Sequence, residues 1–138
     1  MRYLLDTCVF AEYSNLKPAQ QVLDWLSARP DESLYLSVLT IGEMEKGIVK
    51  LPQSRRRTSL EALLDELIHR FDSHILDLDQ ATSRKWGRLT GNLERKGRVL
   101  PIIDSLIAAT ALKHDLILVT RNEDDFAGTG VKVLNIWR

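Results

Sequence analysis

With 138 residues, 44% of them hydrophobic and 28% charged, the chain has the make-up of an ordinary globular protein, which excludes two independent domains, a disordered chain and a fibrous one. Nineteen Lys and Arg balance nineteen Asp and Glu, so attraction to nucleic acid by bulk charge is excluded, although a local basic groove is not. Cys8 is the single cysteine, so no intrachain disulfide can form; no apolar run approaches the roughly 18 residues that span a bilayer, and Met1 to Asp6 is too short and too soon acidic for a signal peptide. A cytoplasmic protein with no membrane partner is expected.

Tyr3-Leu4-Leu5, closed by Asp6, is an apolar run without alternation, the pattern of a parallel strand buried on both faces. Pro18 to Ala28 then carries Val22, Leu23 and Leu26 on one helical face. Leu34 to Val38 reads as a second strand, and the helix that follows it is separated from the next by Pro52. Leu60, Leu63, Leu64, Leu67, Ile68 and Phe71 keep the i, i+3, i+4, i+7 spacing of an amphipathic helix, with more apolar surface than one sheet face requires. Ile75-Leu76 is a short third strand. Asp79 to Lys96 is a helix with Trp86, Leu89 and Leu93 in register, and Gly97 stands where it should stop. Ile102 to His114 is apolar around much of its circumference, so it is predicted to pack on several sides. Leu116 to Val119 and Val131 to Leu134 complete the strands. Strands interleaved with helices imply one α/β domain over residues 1–138, its parallel sheet covered on both faces.

In such a sheet, ligands bind beyond the carboxyl ends of the strands. Four acids fall there. Asp6 closes the first strand, Glu43 is expected in the first turn of the helix after the second, Asp104 follows Pro101, and Asp125, beside Asp124, follows the strand that ends at Thr120. Each also fits a structural role: Asp6 as a helix cap, Thr40-Ile41-Gly42-Glu43 as a capping box, and Asn122 to Asp125 as another cap. Asp104 fits such a role least, because a carboxylate in the most apolar helix needs a partner or a metal. Together on one edge the four would repel one another, which calls for a cation. Oxygen ligands without His or Cys select Mg²⁺ or Mn²⁺, and the chemistry these ions support is phosphodiester hydrolysis.

The blocks Leu4-Leu5-Asp6-Thr7-Cys8-Val9, Ser37 to Gly47, Pro101 to Ala111 and Val119 to Phe126, in this order and spacing, resemble the PIN-domain ribonucleases, and among them the VapC-type toxins of bacterial toxin-antitoxin modules. The resemblance implies a three-layer α/β/α fold with a five-stranded parallel sheet. It also implies a Mg²⁺-dependent endoribonuclease, the toxin of a type II system, that acts on RNA as a homodimer and is held by a cognate antitoxin over its acidic pocket. Position by position, Asp6 and Asp104 match the metal ligands, Glu43 the acid that places metal or water, and Asp125 the fourth acid, which some members carry at the position of Asn122. Thr7 and Thr120 match polar residues that orient the carboxylates. Cys8 departs from the pattern, Asn being frequent there.

RNA contacts would come from Arg55-Arg56-Arg57, Arg84-Lys85-Arg88 and Arg95-Lys96-Arg98, each of which also fits a solvated helix face. His69, His74 and His114 have no metal-ligand spacing, and His114 suits the negative end of its helix. Two competing readings lack a residue each. An aspartyl phosphatase with Asp6 as nucleophile wants an acid where Cys8 stands. A phospho-acceptor module wants a Lys after a late strand and an acceptor Asp after a middle one, but Lys132 is expected within the last strand, and Asp77 is a weak acceptor.

Overall fold

The computed structural model describes all 138 residues, and its centre is a strand of only three. β1 (Tyr3–Leu5) pairs in parallel with β2 (Leu34–Ser37) on one side and β4 (Ile117–Val119) on the other. β3 (Ile75–Leu76) and β5 (Val133–Leu134) form the edges, giving five parallel strands in the order β3-β2-β1-β4-β5. The helices are α1 (Thr7–Ser14), α2 (Gln20–Ser27), α3 (Val38–Val49), α4 (Arg55–Arg70), α5 (Gln80–Arg95) and α6 (Ile102–His114).

Alternation along the strands explains why both faces need covering. Tyr3 and Leu5 of β1, Leu34 and Leu36 of β2, and Val119 of β4 point into one core with Val9 and Phe10 of α1, Val22 and Leu26 of α2, and Leu67 of α4. Leu4 and Leu118 point the other way, against Ile107, Ala108 and Ala111 of α6 and Phe126. Full burial of a leucine such as Leu4 contributes about 2 kcal/mol from its apolar area. The alanines bring α6 close to the sheet, which makes this the three-layer α/β/α arrangement.

Helix ends follow the sequence cues closely in places. Gly97 takes φ 84° after α5, and Arg98 N–H donates back to Leu93 O at 2.9 Å. Asp115 takes the same left-handed turn after α6, with φ 54°, and Leu116 N–H donates to Ala111 O at 2.9 Å.

Several expectations are corrected. The second strand ends at Ser37, whose hydroxyl caps α3 by accepting from Leu39 N–H at 3.0 Å. The helix therefore begins at Val38, three residues before the capping box expected at Thr40 could form. Thr40 is buried inside the helix with its hydroxyl unpartnered, and Glu43 lies in the second turn, not the first. Asn122 caps nothing with its side chain; residues Glu123–Phe126 form a 3₁₀ turn instead. Lys132 precedes β5 and lines a cavity with Met1 and Arg2 at the amino ends of the strands, away from Asp6. His114 ends α6 as expected, and partial burial, and then Lys113, push its pKa down.

Candidate active site

Strand order reverses direction at β1, because the chain runs from β1 outward through β2 to β3 and returns on the other side with β4 and β5. A crevice opens at such a point beyond the strand ends. Asp6 stands there. Its backbone N–H donates to Val119 O at 3.0 Å, which extends the β1–β4 ladder by one residue and fixes where the side chain leaves the sheet.

Asp6 is 8% exposed, and both its oxygens are engaged. Oδ1 accepts from Thr7 N–H at 2.8 Å, so the residue does cap α1, as the bland expectation had it. Oδ2 accepts from the hydroxyl of Thr120 at 2.8 Å, and that hydroxyl oxygen in turn accepts from Asn122 N–H at 3.1 Å. The cap role and a site role are therefore compatible, since the capping oxygen and the Thr120-bound oxygen are different atoms.

Glu43 reaches the same place from α3. Its Oε1 accepts from the Thr7 hydroxyl at 2.6 Å, which ties the second turn of α3 to the first residue of α1. Cys8 Sγ lies 3.9 Å from Asp6 Oδ2 and 3.7 Å from Thr120 Oγ1, and it accepts from Arg121 N–H at 3.5 Å. Burial pushes this thiol above its ordinary pKa, with Asp6 adding to the effect, so it stays protonated at neutral pH.

Asp104 stands in the first turn of α6, half-buried. Its pKa is raised, first by burial and then by the negative charges of Asp6, Asp125 and Glu43, in that order. No hydrogen bond or ion pair within the chain offsets this, so Asp104 feels the charge of the other three expected acids and is left uncompensated. No three acidic, histidine or cysteine side chains are drawn tightly enough together to form a ready-made metal cage.

Of the basic clusters, Arg98 comes nearest. Its guanidinium lies over Gly128, where a Cβ would sit 2.6 Å from Nη1, and donates to Asp125 O at 3.4 Å. Arg57 is occupied by Glu61 at 2.9 Å and by Leu51 O at 3.1 Å. Arg84, Lys85 and Arg88 are exposed on α5 without ion-pair partners. The apolar stripe of α4 does not close on the sheet completely. Leu60, Leu63, Leu64 and Leu67 line a groove of about 230 Å³ with Phe10 of α1 and Met44 and Ile48 of α3, and the groove runs up to Thr7 and Glu43.

The model of the PIN domain family matches residues 3–132. The chain belongs to the PIN-domain family. It is a PIN domain of the VapC toxin type. It is 33% identical over 135 residues to VapC ribonuclease Y4jK of Sinorhizobium fredii, covering 97% of this chain and 96% of that one. It is 30% identical over 135 residues to Toxin FitB of Neisseria gonorrhoeae, covering 97% of each. Among solved structures, FitAcB from Neisseria gonorrhoeae superposes with a TM-score of 0.92 at 29% identity over 99% of both chains. Membership of the VapC toxins implies a nuclease, and it makes the switch-point acids of this PIN domain its candidate active site. No helix of this PIN domain is long and apolar enough to cross a membrane.

Sequence inspection left two features unassigned. Lys46 of α3 and Lys50, the C-cap of that helix, line a cleft on the far side of Glu43 from the apolar groove. Glu12, only 7% exposed, accepts from Ala19 N–H at 2.8 Å and from the Trp137 indole at 2.9 Å, and so pins the C-terminal segment to α1. Helical spacing from Glu43 could have suggested the lysines; nothing local marks Glu12, because its partners are distant in sequence.

Proposed function

We propose that this chain is a Mg²⁺-dependent endoribonuclease, the toxin of a type II toxin-antitoxin pair, that hydrolyses RNA phosphodiester bonds at Asp6, Glu43, Asp104 and Asp125. The observation that carries this reading is the Asp104 carboxylate in the first turn of α6, raised in pKa by burial and then by Asp6, Asp125 and Glu43, and matched by no cation of the chain. Such an arrangement costs stability unless a positive ion arrives. The donors are all hard carboxylate oxygens, which suits Mg²⁺ or Mn²⁺. The lack of a tight three-acid cage suits them as well, because Mg²⁺ uses one or two carboxylates and fills its shell with water and substrate phosphate.

Asp6 and Asp104 would hold the ion. When bound, it lowers the pKa of water and stabilises charge on the phosphoryl group. The chain's own residues set the geometry. Thr120 and the Thr7 amide fix the two oxygens of Asp6, so the carboxylate does not have to be ordered when RNA arrives. Thr7 holds Oε1 of Glu43, which leaves the other oxygen to accept a proton from an attacking water. Asp125 adds negative charge that acts on Asp104, on a turn that Arg98 braces.

The partner reading follows from the apolar groove between α1, α3 and α4. A cognate antitoxin would lay an apolar segment there and reach the acids past Thr7 and Glu43. A homodimer and a cytoplasmic site of action belong to the same reading and rest on family membership.

The test is cleavage of RNA with and without Mg²⁺ or Mn²⁺, comparing wild type with Asp6→Asn and Asp104→Asn. Metal-dependent cleavage that both substitutions abolish is expected. Cleavage that persists in the folded variants overturns the site.

A further inference from the structure

Helix α3 divides two concavities that share Glu43 and Gly47. One is the apolar groove toward α4. The other opens toward Ile103 of α6, has a volume of about 470 Å³, and is lined by Val38, Leu39, Lys46 and Lys50. We propose that this second cleft holds the RNA backbone beside the scissile phosphate, with Lys46 and Lys50 as its phosphate contacts. The proposal rests on the nuclease reading above and adds to it the track that the strand follows.

Charge is the first reason. The chain has three ion pairs, Arg57–Glu61, Arg70–Asp31 and Arg138–Glu123, and neither lysine takes part in one. Both are exposed, and they stand four residues apart, Lys46 in the last turn of α3 and Lys50 at its C-cap in αR conformation. Like charges at that spacing repel by a few tenths of a kcal/mol, so the pair is better suited to a polyanion than to bare solvent.

Position is the second. At 1.5 Å per residue, Lys46 lies about 4.5 Å and Lys50 about 10.5 Å along the axis from Glu43. The two lysines thus leave the backbone at points about 6 Å apart along the axis, in a row leading away from Glu43, within reach of successive phosphates of an extended strand. Room is the third. A Cβ added at Gly42 or Gly47 would meet nothing within 4 Å, so the floor beside the lysines is open. Leu39 and Ile103 supply apolar walls against which sugars and bases can rest.

RNA is favoured over an acidic peptide because Glu43 lines the cleft beside the lysines and Ile103, next to Asp104, forms its wall. A ligand bridging both needs anionic groups for the lysines and a group that shares a cation with carboxylates, and a phosphodiester chain supplies both.

The experiment has two arms. In the first, fluorescence anisotropy follows a short labelled single-stranded oligoribonucleotide binding to the Asp6→Asn protein, so that the RNA stays intact, with and without Lys46→Ala and Lys50→Ala. The slope of log Kd against log salt should fall by about 0.7 for each lysine removed, the value for one phosphate contact on a single strand. Lys46→Arg with Lys50→Arg should restore it, and Lys132→Ala, at the other end of the sheet, should leave it unchanged. In the second arm, cleavage by the lysine variants should show the loss in KM more than in kcat.

An unchanged slope in folded double variants overturns the proposal. So does a change of molar mass in light scattering, which would assign the face to a second copy of the chain. Wild type that binds RNA with the lysine-dependent slope but never cleaves it sinks the nuclease reading and leaves the track standing.

Discussion

The Thr7 hydroxyl donates to Glu43 Oε1 at 2.6 Å, so the residue that follows Asp6 holds an acid 36 positions further along the chain. One threonine thereby sets the spacing of two carboxylates, through its amide to Asp6 and its hydroxyl to Glu43. Thr7→Val keeps the shape and removes only the hydroxyl. A hydrogen bond to a charged acceptor is worth about 1.5–3 kcal/mol, so RNA cleavage should fall by about tenfold to a hundredfold in kcat/KM, with Thr7→Ser close to wild type. Full activity in a folded Thr7→Val would show that Glu43 needs no such hold.

Asp104 makes an opposite demand on stability. Burial and the neighbouring acids raise its pKa in the folded state, so the ionised form is disfavoured there, and the protein loses stability as pH rises through the Asp104 pKa. In metal-free buffer at pH 7, Asp104→Asn should raise Tm by a few degrees while abolishing cleavage, and the gain should shrink as pH falls toward 4. Thermal scans across that range check both parts.

Addition of Mn²⁺ or Mg²⁺ should stabilise the wild type by the logarithm of its saturation, and should do so less in Asp104→Asn and Asp6→Asn. At a hundred times Kd the stabilisation is about 2.7 kcal/mol, well within the range of a thermal shift assay. Equal shifts in all three proteins would place the ion elsewhere.

Glu12 works through its neighbours rather than through the site. The Trp137 indole and the Ala19 amide donate to its carboxylate and hold its pKa below the usual glutamate range. That stabilisation is present above pH about 4.3 and is lost as pH falls through the lower folded value. Glu12→Ala should cost about 1 to 2 kcal/mol, with the C-terminal amides around Trp137 exchanging faster, because two part-buried donors lose their acceptor. Hydrogen exchange unchanged at Trp137 would count against the anchor.

Asp115 ends α6 with φ 54°, a conformation glycine adopts without strain. Asp115→Gly should raise stability by about 0.5–1 kcal/mol, readable as a shift of the urea midpoint with no change in m. It lies at the end of α6 away from Asp104, so cleavage should not move.

Much of this molecule was legible because short-range signals coincide with long-range ones. The run Tyr3-Leu4-Leu5 is buried on both faces because alternate residues feed two cores, and Gly97 ends α5 where a left-handed turn is required. Asp6, Asp104 and Asp125 each sit at a strand end or helix start, positions that a parallel topology brings to one edge. Thr40 misled for a physical reason. A hydroxyl followed three residues later by Glu looks like a capping box whatever lies before it, but Ser37 takes the cap earlier and carries Glu43 into the next turn.

The sequence alone thus determined the strands and helices α2 to α6 in chain order, because periodicity and turn chemistry act over a few residues, whereas α1 was legible only as the helix that Asp6 would cap. Tertiary structure decided what those acids experience. Only packing could bring Thr120 to Asp6, Thr7 to Glu43, and other negative charge to bear on a half-buried Asp104, since each of these depends on the distance between segments that the chain joins only through the sheet. It also decided that Lys46 and Lys50 face a cleft beside Glu43 rather than a carboxylate partner. Charge balance over the whole chain is zero, but electrostatic energy depends on local distances, and those belong to the fold.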